Sequence, residues 1–204
     1  LAPYLPATLA SVRAQTLQPD EIIVVDDGST APDCPSLLSR LAQEGVKVVR
    51  KENGGLASAR NAGFREARGD WVIPLDADDL LDPTFLEKAR AAMCRNPSLA
   101  YVTSLVATFE SDPAVPTDGW CPWGADPDLL PALNTAGPCT GLFERQEVLD
   151  LGGYDETLTS FEDWDLYARL CLAGRDGLIL PEFLFSYRQR PGSMLRTEGR
   201  ANRE

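Results

Sequence analysis

Residues 72–83 read VIPLDADDLLDP: an apolar run breaks into four aspartates, Asp76, Asp78, Asp79 and Asp82. Each like-charged carboxylate pair at about 4 Å costs on the order of 4 kcal/mol at an effective dielectric near 20, so something has to offset the repulsion. The run from Asp70 to Asp76, DWVIPLD, reads as a buried strand with the carboxylates at its carboxyl end. EIIVVDDGST (21–30) has the same form, a β-branched run closed by Asp26, Asp27 and a glycine turn. Around these strands lie helical patterns at Tyr4–Thr16, Ser36–Gln43, Leu56–Ala67, Pro83–Arg95 and Phe161–Ala173. Further strands are expected at VKVVRK (46–51), Ala100–Phe109 and Cys139–Phe143. Such alternation predicts an α/β fold with a mainly parallel central sheet, helices on both faces, and ligands bound beyond the carboxyl ends of the strands.

The chain has 204 residues with 44% hydrophobic content, which fits one domain with a sizeable core. A formal charge of -12 argues against a nucleic-acid partner held through its phosphates. No stretch is long and apolar enough for a membrane span, and the first residues lack the pattern of a signal peptide. The expected location is the cytoplasm, with a peripheral place at the inner face of the membrane left open. Five scattered cysteines form no CxxC pair and suggest neither zinc nor a disulfide framework. Histidine is absent, so acid–base work near neutral pH falls mainly to Asp or Glu.

Three readings compete for the aspartates. Asp82 before Pro83 reads as a helix N-cap. A calcium loop fails, because Leu80 stands at the third ligand position and no glycine follows. A divalent-metal site for a nucleotide diphosphate fits, since Mg²⁺ or Mn²⁺ uses one or two carboxylates with phosphate oxygens and water, and the cation removes the repulsion. Asp26 and Asp27 suit hydrogen bonds from a ribose or base, or else cap a β-turn. In SFEDWDLYARL (160–170), Ser160 and Asp163 can form a capping box. The helix N-terminus is also expected to hold Asp163 ionised, as a general base requires. The irregular Pro-, Asp- and Trp-containing stretch at 110–138 reads as a binding loop or lid, in which Trp120 and Trp123 either touch a ligand or pin the loop.

Taken in order, LASVRAQTLQPDEIIVVDDGST, ENGGLASARNAGFREARGDWVIPLDADD, LGGYDE and FEDWDLYARL resemble the family-2 glycosyltransferases of the GT-A, Rossmann-like fold. The match runs from about Tyr4 to Ser193 and is weakest between Thr108 and Pro138. The resemblance implies a single domain over 1–204, with a nucleotide-binding part at about 1–80, an acceptor-side part at about 81–190 and a tail at 191–204. It implies that Asp26 and Asp27 hold the nucleoside of a nucleotide-diphosphate sugar and that Arg60 contacts the base or diphosphate. Asp76 and Asp78 match the DxD motif that carries Mg²⁺ or Mn²⁺, with Asp78 the more direct ligand and Asp79 facing the sugar. Asp163 matches the general base of the ED motif, and Glu162 orients the acceptor or supports the loop. The implied reaction is an inverting transfer to an acceptor hydroxyl on a glycan or lipid-linked precursor.

Two departures stand out. The family opens with a strand that has no counterpart before LAPYLPATL, which leads to the expectation of a missing first strand and an N-terminally shortened chain. In YRQRPGSM (187–194), Arg190 stands where the family has histidine. It is either a bidentate clamp on diphosphate or a surface arginine. The processive signature QxxRW is absent, favouring single-sugar transfer. The alternatives are a non-catalytic sugar-nucleotide-binding module and a nucleotidyltransferase of related fold, though the latter lacks its basic Gly-rich loop. A haloacid-dehalogenase phosphatase would need Thr or Val at Leu80, and a glycoside hydrolase fits the alternation poorly.

Overall fold

The structure, a computed structural model, describes residues 2–130 and 132–190. The expected 191–204 tail and the PGSM end of the last motif lie outside the described residues. The first strand, β1 (Ile23–Asp27), pairs in parallel with β2 (Lys47–Lys51), placing Asp27 beside Lys51. Helices α1 (Leu5–Arg13) and α2 (Cys34–Gln43) cover this pair, where Leu9, Leu41 and Val46 make a small core with Val24 and Val48. Helix α3 (Gly55–Glu66) follows β2 and also packs on β1.

A second sheet holds β3 (Trp71–Val72), β4 (Leu80–Leu81), β5 (Leu99–Phe109), β6 (Asp118–Trp120), β7 (Leu142–Glu144) and β8 (Asp176–Arg188). Its order is β3-β7-β5-β8-β4, with β6 paired to β5. The α/β character holds, but the expected mainly parallel arrangement is corrected to a mixed one. Only β1–β2 and β5–β8 run parallel among the described pairs, and the remaining pairs are antiparallel. The reason lies in the connections: a parallel return needs a long crossover, usually a helix, and no helix separates β5 from β6 or β7.

Strand alternation puts helices on both faces of β5. Tyr101 and its cross-strand partner Phe143 join the core that contains Phe64 of α3, Val148 of α5 (Arg145–Asp150), and Leu166, Tyr167 and Leu170 of α6 (Glu162–Leu172). Val102 and Leu142, one residue along each strand, point the other way into the core with Phe85, Ala89 and Met93 of α4 (Phe85–Arg95). Opposite Tyr101 stands Gly177, where an added Cβ would lie 1.9 Å from the Tyr101 ring, so glycine is what lets the ring lie over β8.

β8 was not expected from the sequence. Pro181 interrupts its pattern, and the register jumps from Ser104–Leu180 to Leu105–Phe183, leaving Pro181 and Glu182 as a bulge. The helix starts also shift. Asp82 accepts from the backbone and hydroxyl of Thr84, capping a turn, and α4 begins at Phe85. α6 begins at Glu162 with Phe161, and not the expected Ser160, at its N-cap position.

Among the described residues the two sheets do not join. β1 pairs only with β2 and β3 only with β7, and a cavity of about 1170 Å³ opens between them. Every residue of Ile23–Asp27 and of Asp70–Asp78 borders it. Neighbours in a strand point to opposite faces, so it is the strand edges that face the gap. Leu5, Leu9 and Val12 of α1 close one side, and Ala59, Gly63 and Phe64 of α3 also border it. No helix among the described residues is long and apolar enough to cross a membrane.

Candidate active site

The carboxyl ends of β1 and β3 meet the start of α6 along this cavity, whose lining includes Asp26, Asp27, Arg60, Asp76, Asp78, Glu162, Asp163 and Arg190. Eight of the nine residues given site roles in the sequence therefore border one space; Asp79, expected to face the sugar, is buried and does not line it. Asp26 is buried; its Oδ1 accepts from Ser29 N at 2.9 Å, and its Oδ2 lies 3.2 Å from Arg50 Nε without a hydrogen bond. Asp27 accepts from Lys51 Nζ at 2.6 Å and from the backbone of Gly54 and Gly55 at 3.0 and 2.8 Å. Partial burial works against its charge, but these hydrogen bonds outweigh it and lower its pKa. Asp27 thus ties the end of β1 to the loop that starts α3. Gly28 makes that approach possible: its φ is +74°, and a Cβ there would sit 2.8 Å from Asn53 N.

Each aspartate of the 76–79 cluster meets an arginine from a distant part of the chain. Arg60 Nη2 donates to both oxygens of Asp76 at 3.0 and 3.1 Å. Arg190 Nε donates to Asp78 Oδ2 at 2.5 Å. The Arg188 backbone donates to Asp79 Oδ1 at 2.8 Å, while its side-chain Nε donates to the Asp78 carbonyl at 2.8 Å. Arg188 is itself held over the rings of Phe109 and Tyr4, at 4.4 and 4.9 Å. The repulsion that seemed to demand a metal is offset in this structure by guanidinium groups. Asp79 is nearly inaccessible, and burial, reinforced by Asp76, raises its pKa well above the ordinary carboxylate range; its Oδ2 has no hydrogen-bond partner.

Arg60 reaches further. Its Nη1 donates to Glu162 Oε1 at 2.6 Å, so one buried guanidinium spans the DxD cluster and the first turn of α6. Burial opposes its charge, but Asp76, together with Cys139, Tyr154 and Glu162, raises its pKa. Both Nη atoms of Arg60 are engaged by carboxylates, so the group acts as a brace, while its Nε has no hydrogen-bond partner. Asp163, next along α6, accepts from Trp164 N at 2.7 Å. The helix N-terminus does not lower its pKa as expected, although the group still ionises at neutral pH. Burial dominates over the opposing charge of Arg60, and with Glu162 close by its pKa is pushed up to about 6.

Among the described residues, no group of three or more His, Cys, Asp or Glu gathers in a metal-holding arrangement. The donor set at 76–79 still suits a hard cation that completes its shell with phosphate oxygens and water, since it offers only carboxylate oxygens and the unpartnered Asp79 Oδ2 lies beside it. Cys139, whose Sγ is 3.8 Å from Asp76 Oδ2, also borders the cavity; burial and then Asp76 push its thiol up, so it stays protonated. Of the two loop tryptophans, Trp120 meets the Tyr187 ring edge-on at 6.0 Å, and Trp123 is 76% exposed.

Sequence reasoning missed Lys51, Arg188 and Cys139. Lys51 carried a signal, since parallel pairing of VVDD with VVRK sets Lys51 beside Asp27. The other two depend on contacts far apart in the sequence and leave no periodic trace.

A family profile described as Glycosyl transferase family 2 matches residues 2–140. A Sinorhizobium fredii protein, y4gI, is 30% identical over 194 residues, covering 91% of this chain and 21% of that protein. A Bacillus subtilis protein named as an uncharacterized glycosyltransferase, YwdF, is 29% identical over 172 residues, covering 82% of this chain and 63% of its own length. Among solved structures, S. aureus TarS 1–349 in complex with UDP-GlcNAc superposes with a TM-score of 0.77 at 19% identity, over 96% of this chain and 57% of that one. This chain therefore spans only part of each of these proteins.

Proposed function

The chain belongs to glycosyl transferase family 2, and on that premise we propose that the cavity is the donor site of an inverting glycosyltransferase. The enzyme moves a sugar from a nucleotide-diphosphate sugar to an acceptor hydroxyl. The observation that carries this reading is the Arg60 brace, which draws Asp76 and Glu162 together and so brings the Asp163 helix turn to the aspartate cluster. The TarS structure contains UDP-GlcNAc, which makes uridine diphosphate sugars the first donors to test.

In this reading Asp26 and Asp27 receive hydrogen bonds from the nucleoside, in a loop that the Lys51 and Gly54 contacts already order. Asp76 and Asp78 would hold Mg²⁺ or Mn²⁺, which when bound supplies Lewis-acid stabilisation of the leaving diphosphate. The acceptor oxygen forms a bond to the anomeric carbon as the bond from that carbon to the phosphate oxygen breaks. The hydroxyl proton passes to Asp163, and the nucleoside diphosphate departs with the electron pair. A carboxylate with a pKa of about 6 is mostly ionised at neutral pH and is a stronger base than an ordinary aspartate. Arg190 can exchange Asp78 for diphosphate oxygens, a partner its guanidinium fits equally well. The acceptor is a glycan or a lipid-linked precursor, met in the cytoplasm or at the inner face of the membrane.

A thermal-shift panel of UDP, GDP and their sugars, with and without Mn²⁺, tests this. The reading expects a rise of several degrees for one nucleotide class, larger with metal, because a ligand that binds only the folded state stabilises it. No shift with any nucleotide diphosphate would overturn it.

A further inference from the structure

Phe161 is the one residue other than glycine with a positive φ among the described residues, at 65° with ψ 20°. An aromatic side chain is disfavoured in that left-handed region, and glycine would adopt it freely. Burial does not compensate, since Phe161 is 39% exposed. Capping does not explain it either: the Phe161 carbonyl accepts from Asp165 N at 3.0 Å, a bond that any residue can make. What the phenylalanine adds is a partly exposed ring at the cavity, which the residue lines together with Glu162 and Asp163.

That ring is held in place. It meets Trp164 edge-on, with centroids 5.8 Å apart and planes at 85°, and the Trp164 indole donates to the Leu130 carbonyl at 2.6 Å. The ring's support is thus tied to the 110–138 segment. An edge-on neighbour leaves a face of the Phe161 ring available to solvent and to a ligand. Backbone strain kept beside a reactive group, with an exposed and braced aromatic as its result, points to a role in binding.

We propose that Phe161 is the stacking platform for the acceptor, so that the acceptor presents a pyranose ring whose apolar C–H face lies on the phenyl ring. The inference rests on the reading of Asp163 as the base. Phe161 and Asp163 line the same cavity, so a ligand that covers the ring from the cavity side lies in the space from which the acceptor hydroxyl delivers its proton. Stacking fixes the acceptor ring and with it the hydroxyl offered to Asp163. Phe161 selects an acceptor class, and the chemistry stays with Asp163.

The test compares two acceptors with UDP-N-acetylglucosamine and Mn²⁺: p-nitrophenyl β-D-glucopyranoside, which has a pyranose ring, and glycerol, which has none. The ratio of their kcat/KM values falls at least fivefold in Phe161→Gly, a substitution suited to the local backbone, and is retained in Phe161→Tyr. An unchanged ratio in Phe161→Gly overturns the platform. Absence of any nucleotide-dependent thermal stabilisation in the unmodified protein would instead remove the donor-site reading beneath it, so the two failures are distinguishable.

Discussion

Arg60 and Glu162 form a buried ion pair in which Nη1 lies 2.6 Å from Oε1, and both side chains are less than a tenth exposed. The same guanidinium holds Asp76, so the ends of β3 and α6 are joined through a single residue of α3. Removing it leaves two carboxylates without their cation. Breaking a buried pair by deleting one partner typically costs about 3–5 kcal/mol. Arg60→Met is expected to lose stability on that scale in urea denaturation, and adding Glu162→Gln to it is expected to restore part of the loss.

The Asp163 carboxyl, pushed from 3.8 to about 6 chiefly by burial, makes stability and activity respond to pH in opposite directions. Because its pKa is higher in the folded state, the stability it contributes is fully present below pH 3.8 and is lost as pH rises through 6. Above that point the half-buried charge costs at most about 3 kcal/mol, less whatever its contact with solvent screens. Asp163→Asn is expected to melt higher than the parent at pH 7.5, with the gap closing towards pH 4. Transfer by the parent protein rises through pH 6 as the base ionises. A melting difference that does not vary with pH would contradict the burial of this charge.

Gly28 combines a φ of +74° with a 2.8 Å approach to Asn53 N. A Gly28→Ala variant meets both the left-handed strain and the backbone contact, and is expected to lose about 1–3 kcal/mol. It also pushes the 53–55 loop off Asp27, so calorimetry with UDP should show at least tenfold weaker binding.

How much of this was legible in the sequence followed from what each feature depends on. β1 and the strand at 71–72 were visible because an apolar run ending in carboxylates is a local pattern. β8 was hidden by Pro181, whose bulge breaks the alternation by which a strand is recognised. That these carboxylates share one cavity was also legible, since Asp27 ends β1, Asp76 closes the apolar run that begins with β3, and Asp163 stands in the first turn of α6. Their electrostatics were not. The sequence shows Asp163 at a helix N-terminus but cannot show how deeply tertiary packing buries it. It likewise shows Arg60, Arg188 and Arg190 without showing which carboxylate each one meets.

Arg190 Nε donates to Asp78 Oδ2, one of the two carboxylates read as metal ligands. If cation and arginine compete for that carboxylate, Arg190→Gln binds Mn²⁺ at least threefold more tightly than the parent when no nucleotide is present, as read by the free Mn²⁺ signal in electron paramagnetic resonance. The same variant binds UDP more weakly, because it lacks the guanidinium that pairs with the diphosphate. Unchanged Mn²⁺ affinity would remove the competition.

The gap between β1 and β3 exposes two strand edges and apolar helix faces to solvent. A chain of residues 1–204 is therefore expected to enhance the fluorescence of the hydrophobic dye ANS. A peptide of alternating Val and Ile that supplies one extended strand should quench the enhancement and raise the melting temperature. No enhancement would mean that the edges close on each other in solution.

Transfer and donor binding measured side by side in the parent protein and Asp163→Asn test the central claim most directly. Once a working donor is known, Asp163→Asn should lose at least about a hundredfold in turnover, the scale of a general-base contribution. Its calorimetric affinity for the donor with Mn²⁺ should stay within about threefold, because on this account Asp163 takes the acceptor's proton and does not bind the nucleotide. Turnover that survives the substitution would contradict the account.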